Sequence, residues 1–282
     1  MQLWEKIKAE FRRGNSALHQ IIILVLSAFI FSTLIEFFGA LFSYDAGYVL
    51  EYFYLPSNLS TLVTRPWTIV TNIFFHSGLR HLIGNAITLY FIGRILQDFL
   101  DFKQFWKLFI GGGLLGCIFF VLAYNVFPGL REVASVSTLV GASGGLAAII
   151  AAVGIYLPHY TVRPFGLFDI QLRQLSAFLL FGMLTFPVIS GNIGGFLAHL
   201  GGAVFGWLFI WHMQGKLDQL KKPRKAKPRM RKVEDTVRKH TSNKHTIKPE
   251  QEEIDAILDK ISQSGYDSLS KEEKELLFKA SE

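Results

Sequence analysis

Three short stretches of this chain hold side chains able to do chemistry within otherwise apolar sequence. The first is Gly141-Ala142-Ser143-Gly144-Gly145. Its glycines strip bulk from around one hydroxyl. They also leave amide N–H groups unobstructed where a helix begins, a place that stabilises developing negative charge. The second is Ala198-His199-Leu200-Gly201-Gly202, followed by Gly206. An imidazole can take a proton from such a hydroxyl. Gly202 and Gly206 form a small-x-x-x-small stripe able to bring their helix against the one carrying Ser143. The third stretch holds His76, His81 and Asn85. His81 and Asn85 are four apart and share one helix face. Both can donate hydrogen bonds toward one point, as an oxyanion requires. Each stretch also has a plainer reading: glycines that only pack helices, a hydrogen-bonded packing histidine, a polar clamp between two helices.

The elements that must position these groups are membrane helices. Of 282 residues, 50% are hydrophobic and 18% charged. The apolar residues gather into runs near the ~20 residues needed to cross a hydrocarbon layer about 30 Å thick. The runs do not alternate, which argues against a strand-built barrel. We expect an all-α polytopic bundle of six transmembrane helices, roughly Leu18–Phe42, Ile69–Ile92, Phe105–Phe127, Leu139–Leu157, Leu175–Ile189 and Ile193–Met213. The first run is longer than a signal-peptide core and lacks a small-x-small cleavage site, so it reads as a retained helix. A single cysteine, Cys117, excludes an internal disulfide and reads as packing.

Loop charge sets the expected orientation. Lys6, Lys8, Arg12 and Arg13 precede span one, Arg94, Lys103 and Lys107 lie between spans two and three, and Arg163 and Arg173 between four and five. The opposite loops hold only Arg65, Arg80 and Arg131. Both termini are therefore expected in the cytoplasm. The net charge of +7 sits outside the spans, which suits anionic lipid rather than nucleic acid. The loop from Ser43 to Thr68 is rich in tyrosine and reads either as one or two interfacial helices or as a plain aromatic belt. Expected domain limits are a cytoplasmic segment 1–17, the bundle 18–213, a basic linker 214–249 and a small helical hairpin 250–282. In the hairpin, Ile254, Ile257, Leu258 and Ile261 recur at helical spacing, and Ser270 with Glu273 has the spacing of a capping box. It is too short for a substantial core and is expected to dock on a partner protein or a second copy.

Depth ties the three stretches together. Arg94 lies 13 residues from His81, Pro158 lies 15 from Ser143, and Lys216 lies 17 from His199. At 1.5 Å per residue, all three polar centres stand roughly 20–25 Å above the cytoplasmic boundary. That level is the outer part of the hydrocarbon core, and it describes a cavity open to water from outside.

His81-Leu82-Ile83-Gly84-Asn85, Gly141-Ala142-Ser143-Gly144 and Ala198-His199-Leu200-Gly201-Gly202 with Gly206, in this order and on these spans, resemble the rhomboid proteases. The resemblance covers about Trp67 to Trp211. It implies a Ser143–His199 dyad with no acidic third member. It implies an oxyanion held by His81, Asn85 and the Ser143 backbone N–H. It also implies structural support from His76, Gly141, Gly144, Gly202 and Gly206, with neither metal nor cofactor. The implied substrates are single-pass membrane proteins, cleaved within or near the transmembrane segment, and the implied location is a bacterial inner membrane. Three positions depart from the family's usual pattern: Thr68 after Trp67, Gln97 near the end of span two, and Ala147 one turn after the serine, where a tyrosine often supports the imidazole. The tail, with Gly265-Tyr266-Asp267-Ser268-Leu269, looks like that of rhomboid relatives from the Bacteroidetes. An alternative is a rhomboid-like pseudoprotease that escorts membrane clients. A transporter is disfavoured because no inverted repeat is evident, and no H-E-x-x-H marks a metalloprotease.

Overall fold

A computed structural model describes residues 16–215 and 250–279, which fall into two compact units. The expected N-terminal basic segment and nearly all of the basic linker lie outside the described residues. In chain order the first unit runs α1 (Ala17–Phe42), α2 (Gly47–Leu50), β1 (Leu55–Pro56), α3 (Leu59–Thr64), α4 (Thr68–Thr71), α5 (Leu79–Gln97), α6 (Phe102–Val126), α7 (Pro128–Arg131), β2 (Thr138–Leu139), α8 (Ser143–Tyr156), β3 (Thr161–Val162), β4 (Ile170–Gln171), α9 (Leu172–Ile189) and α10 (Ile193–Met213). Six long helices thus form an all-α bundle, and the strands are two-residue clips, β1 on β2 and β3 on β4. By length and composition α1, α6, α9 and α10 can each cross a membrane. The other two long helices fall short for chemical reasons. Helix α5 carries Arg80, His81, Asn85 and Arg94, and α8 has only 14 residues.

Helix α8 is the axis of the bundle. Every residue from Ser143 to Val153 is buried, and α5, α6, α9 and α10 all pack on it. At 1.5 Å per residue it spans about 21 Å, well short of a ~30 Å hydrocarbon core. It is therefore too short to cross such a layer by itself. By contrast α1 keeps Ile30, Phe37, Leu41 and Phe42 exposed, the expected condition of a lipid-facing helix.

Two expected boundaries are corrected. The second span was expected from Ile69, but its helix begins ten residues later at Leu79. The cause is Asn72. Its side-chain amide donates to the Thr68 and Ile69 carbonyls at 2.6 and 2.9 Å. Its own carbonyl accepts from Gly141 N–H at 2.9 Å and so is committed to another segment. The fourth span was expected from Leu139, but Thr138 and Leu139 pair with Pro56 and Leu55, and the helix starts at Ser143. Both shifts trade helix for loop at the same end of the bundle.

The tyrosine-rich loop contains two short helices, α2 and α3, and α4 begins where it ends. Trp67 Nε1–H donates to the Tyr52 carbonyl at 2.7 Å, and the Arg65 guanidinium lies 3.8 Å from the Tyr52 ring centre. The arginine that braces this loop therefore precedes Trp67, where Thr68 follows it. Gln97 accepts from the Ser16 hydroxyl, which ties the end of α5 to the start of α1.

The second unit consists of α11 (Glu250–Ser264) and α12 (Lys271–Lys279). Ser270 and Glu273 form the reciprocal cap, with Ser270 N–H to Glu273 Oε2 at 2.7 Å and Glu273 N–H to Ser270 Oγ at 3.2 Å. Ile257 and Leu269 are buried, while Leu258 faces outward. Lys260, bonding at 2.8 Å, and then the Ser270 N–H hold the Glu273 carboxyl below the usual carboxylate range. That contribution is present at neutral pH and fades as acid titrates the carboxylate.

Candidate active site

Ser143 is the first residue of α8. The first helical bond there runs from Leu146 N–H to the Ala142 carbonyl, so the N–H groups of Ser143, Gly144 and Gly145 precede it and have no helical acceptor. They crown the positive end of a helix dipole beside the hydroxyl. Gly141 approaches with φ +136°, a conformation that favours glycine. A β-carbon built there would stand 2.7 Å from His81 Cε1, 3.0 Å from His81 Nε2 and 3.6 Å from Ser143 Oγ. Gly141 is thus the floor beneath the His81 ring, which any side chain there would displace, while the Ser143 hydroxyl lies at ordinary contact distance.

Glycine contacts fix the helices that carry Ser143 and His199. A β-carbon on Gly202 would lie 2.0 Å from the Gly144 carbonyl oxygen, and one on Gly206 2.2 Å from that of Ala148. The backbones of α8 and α10 therefore touch. His199, one turn before Gly202 on α10, shares two cavities with Ser143. One, of about 580 Å³, runs sideways between α5 and α9, past His81, Asn85, Met183 and Phe186. The other, of about 740 Å³, opens among the loops past Tyr54, Arg80 and Asn192. The hydroxyl and the imidazole lie where a sideways and an end-on opening meet. Tyr54, in the loop before β1, has its phenol pushed up by burial and then by the Glu36 carboxylate. Glu36 itself is exposed on α1.

The hydrogen-bond partners define proton positions. His199 Nδ1 lies 2.6 Å from the Met183 carbonyl on α9. A carbonyl only accepts, so Nδ1 carries the proton, and neutral His199 keeps its lone pair on Nε2. No hydrogen bond joins Ser143 to His199 among the described residues. Such bonds are often long until substrate is bound. His76 is buried, with Nδ1 3.1 Å from the Phe74 carbonyl and Nε2 3.0 Å from Asn85 Nδ2. The same reasoning makes Nε2 the acceptor from one Asn85 amide hydrogen. The other hydrogen of that amide remains for the cavity. Ser77 Oγ lies 3.1 Å from His81 Nδ1, and the His76 and His81 rings meet edge to face at 5.0 Å.

The fold therefore brings Ser143, His199, His81 and Asn85 to one cavity, with His76 and Gly141 behind them and Gly144, Gly202 and Gly206 in the helix contacts. Motif reading missed Asn72, Ser77 and Met183. Asn72 was visible as an amide in an apolar run, and Ser77 as a hydroxyl four residues before His81. Met183 acts through its backbone, so residue type gave no signal. Ala147 is fully buried, and the imidazole is held by the Met183 carbonyl. Among the described residues no three His, Cys, Asp or Glu side chains gather as metal ligands.

The model of the Rhomboid domain family matches residues 63–216, more than half of the chain. The chain belongs to the rhomboid family. This rhomboid also matches, over residues 241–282, a family of unknown function (DUF6576). It is 26% identical to Rhomboid protein 1, mitochondrial, of Saccharomyces cerevisiae, over 57% of this chain and 46% of that protein. It is 28% identical to the putative rhomboid protease YdcA of Bacillus subtilis, over 54% of this chain and 69% of that protein. It is also 28% identical to the Inactive RHOMBOID-like protein 8 of Arabidopsis thaliana, over 47% of this chain and 36% of that protein. The rhomboid therefore spans about half or less of the yeast and plant relatives. The matched relatives include proteins named as proteases and one named inactive, so membership gives the membrane bundle and supports a hydrolase class without deciding activity.

Proposed function

We propose that this rhomboid is an intramembrane serine endopeptidase that cleaves transmembrane segments of single-pass membrane proteins. The observation that carries the reading is the His199 tautomer beside Ser143. An imidazole with Nδ1–H engaged offers Nε2 to a hydroxyl that shares its cavity. In the proposed reaction Ser143 Oγ attacks the scissile carbonyl carbon while Nε2 takes the hydroxyl proton. The carbonyl π pair moves onto oxygen, where His81, Asn85 and the Ser143 N–H receive it. The carbon–nitrogen bond then breaks, and the proton on Nε2 passes to the leaving nitrogen. Water, deprotonated by Nε2, attacks the acyl-serine, and the returning proton restores Ser143. The Met183 carbonyl would stabilise the transient imidazolium in the place an acidic third residue takes elsewhere. The sideways cavity between α5 and α9 fits the approach of a helix from lipid, and the end-on cavity fits the supply of water. The scissile segment must unwind, because an intact helix shields its carbonyls.

The reading extends to a bacterial inner membrane with both termini in the cytoplasm, supported by the charges of the loops. The lipid bilayer and a substrate helix are its partners, and the C-terminal hairpin would add a protein partner or a second copy.

The test is cleavage of a single-pass substrate in liposomes, with fluorophosphonate labelling of the serine. Ser143→Ala and His199→Ala should each lower kcat by roughly 10⁴-fold or more, and labelling should vanish in the serine variant. Equal cleavage by parent and variants sinks the dyad. An intact parent that neither labels nor cleaves favours the escort reading, and loss of cleavage in chelator would favour a metal-dependent one.

A further inference from the structure

Met183 lies four residues before Pro187, the proline inside α9. In an uninterrupted helix the Met183 carbonyl would accept from the N–H of residue 187. Proline has no N–H, and its ring crowds the carbonyl four residues back, turning it off the helix axis. This freed carbonyl is the one on which His199 Nδ1 rests, at 2.6 Å. The neighbouring carbonyls at this end of α9 have other donors. That of Phe186 accepts from Ser190 N–H at 3.0 Å, and that of Pro187 from Asn192 N–H at 2.7 Å and Ser190 Oγ at 3.1 Å.

We infer that Pro187 is a positioning residue: by withholding an N–H, it dedicates the Met183 carbonyl to His199 and so fixes the tautomer and ring plane of the base. The inference rests on the Ser143–His199 reading. It explains how an imidazole with no carboxylate partner, and with only Ala147 one turn after the serine, keeps Nε2 free of its proton. A neutral histidine that lost this acceptor would also populate the Nε2–H form, which cannot take the Ser143 proton. The base and its brace sit on different helices, α10 and α9. Orientation of the base is therefore a property of how those two helices lie together, and it is encoded by a residue that lines the cavity but has no N–H to offer.

The experiment compares two full-length proteins: Pro187→Ala, and Pro187 replaced by lactic acid, the α-hydroxy analogue of alanine, whose ester oxygen removes the N–H at 187 and also makes the Phe186 carbonyl a weaker acceptor for Ser190 N–H. The alanine N–H competes for the Met183 carbonyl, whereas the lactic acid unit has none. Pro187→Ala should lower kcat about tenfold, the worth of one hydrogen bond, with KM little changed. The lactic acid form should recover most of that loss. In ring-labelled protein in detergent, the carbon and nitrogen shifts of His199 should show the Nδ1–H tautomer depleted by alanine and restored by lactic acid. Should Pro187→Ala fail to assemble, Leu184 replaced by its α-hydroxy analogue turns the Met183 carbonyl into an ester, a weaker acceptor, and should shift the tautomer the same way. Identical kinetics and identical ring shifts in the alanine and lactic acid forms overturn the inference. A parent that never cleaves sinks the protease reading instead, while the ring shifts still decide whether Pro187 sets the tautomer.

Discussion

On α6, α8 and α10, a β-carbon added at Gly112, Gly116, Gly145, Gly202 or Gly206 would fall 2.0 to 2.6 Å from an atom of a neighbouring helix. On α5 and α9, one added at Gly84 or at Gly182, which lines the cavity, would meet nothing within 4 Å. The same residue type marks backbone contact on one side of the site and open space on the other. Ser143 and His199 sit on the closed side. His81, Asn85 and the Met183 carbonyl sit on the open side. At their far ends α5 and α9 are tied in, Gly93 against Leu18 and Gly154 against Ser176. The two walls divide the labour. The proposed nucleophile and base are held by helices that cannot separate, while the groups that orient the base and receive the oxyanion are carried by helices anchored at one end and open at the other.

Apart from loss of the dyad itself, the greatest loss of activity is expected on the open side. Asn85→Ala should lower kcat by about 10²–10³, the cost of one oxyanion donor, with a small change in KM. Cleavage kinetics and a melting curve on the same preparation check it. If Asn85→Ala lowers the melting temperature and leaves kcat intact, Asn85 is a clamp for His76 and the open wall is scaffold, which breaks the comparison.

Next comes the closed side. Gly202→Ala drives a methyl group into the Gly144 carbonyl, and the obstacle is backbone, which has no rotamer to yield. Overpacking of this kind costs about 1–3 kcal/mol, and a thermal denaturation series in detergent would show it. Activity should fall with the folded fraction, because Ser143 and His199 move apart together with their helices. A Gly202→Ala protein as stable as the parent would mean that α8 and α10 are free to part, and the division between walls would fail.

The same contrast explains what could be read before any coordinates. Gly202 and Gly206 disclosed the α8–α10 contact because small residues one turn apart have few uses in a membrane helix other than close approach. His199, Ser143, His81 and Asn85 were legible because polar side chains in hydrocarbon need a reason. The start of α5 was not legible. The run Ile69 to Phe75 is apolar enough to read as membrane helix although its β-branched residues and Asn72 are weak helix formers, and the Asn72 carbonyl is committed to Gly141, distant in sequence. The start of α8 was hidden likewise, since Thr138 and Leu139 are claimed by a strand from another loop. The brace on His199 escaped because its chemistry is a main-chain carbonyl, and its only trace in sequence is a proline four residues away. Local pattern therefore reported the closed wall well, and the cavity end poorly, where long-range backbone pairing decides the structure.

The smallest expected effect concerns Gly84 and Gly182 themselves. Neither faces a neighbour, so space does not require glycine at either position. Alanine there gains helix propensity, about 1 kcal/mol in an exposed helix interior and less in lipid. Gly84→Ala and Gly182→Ala should therefore leave the melting temperature equal to or slightly above that of the parent. Their effect on cleavage then separates two reasons for the open space. If α5 and α9 are a static rim, both variants should cleave at the parental rate. If α9 must bend to admit a substrate helix, Gly182→Ala, in the half of α9 that lines the cavity, should slow cleavage a few-fold while Gly84→Ala does not. One outcome contradicts both accounts: a clear drop in stability for either variant. It would show that the open side is packed as tightly as the closed one, and that no difference between the walls exists.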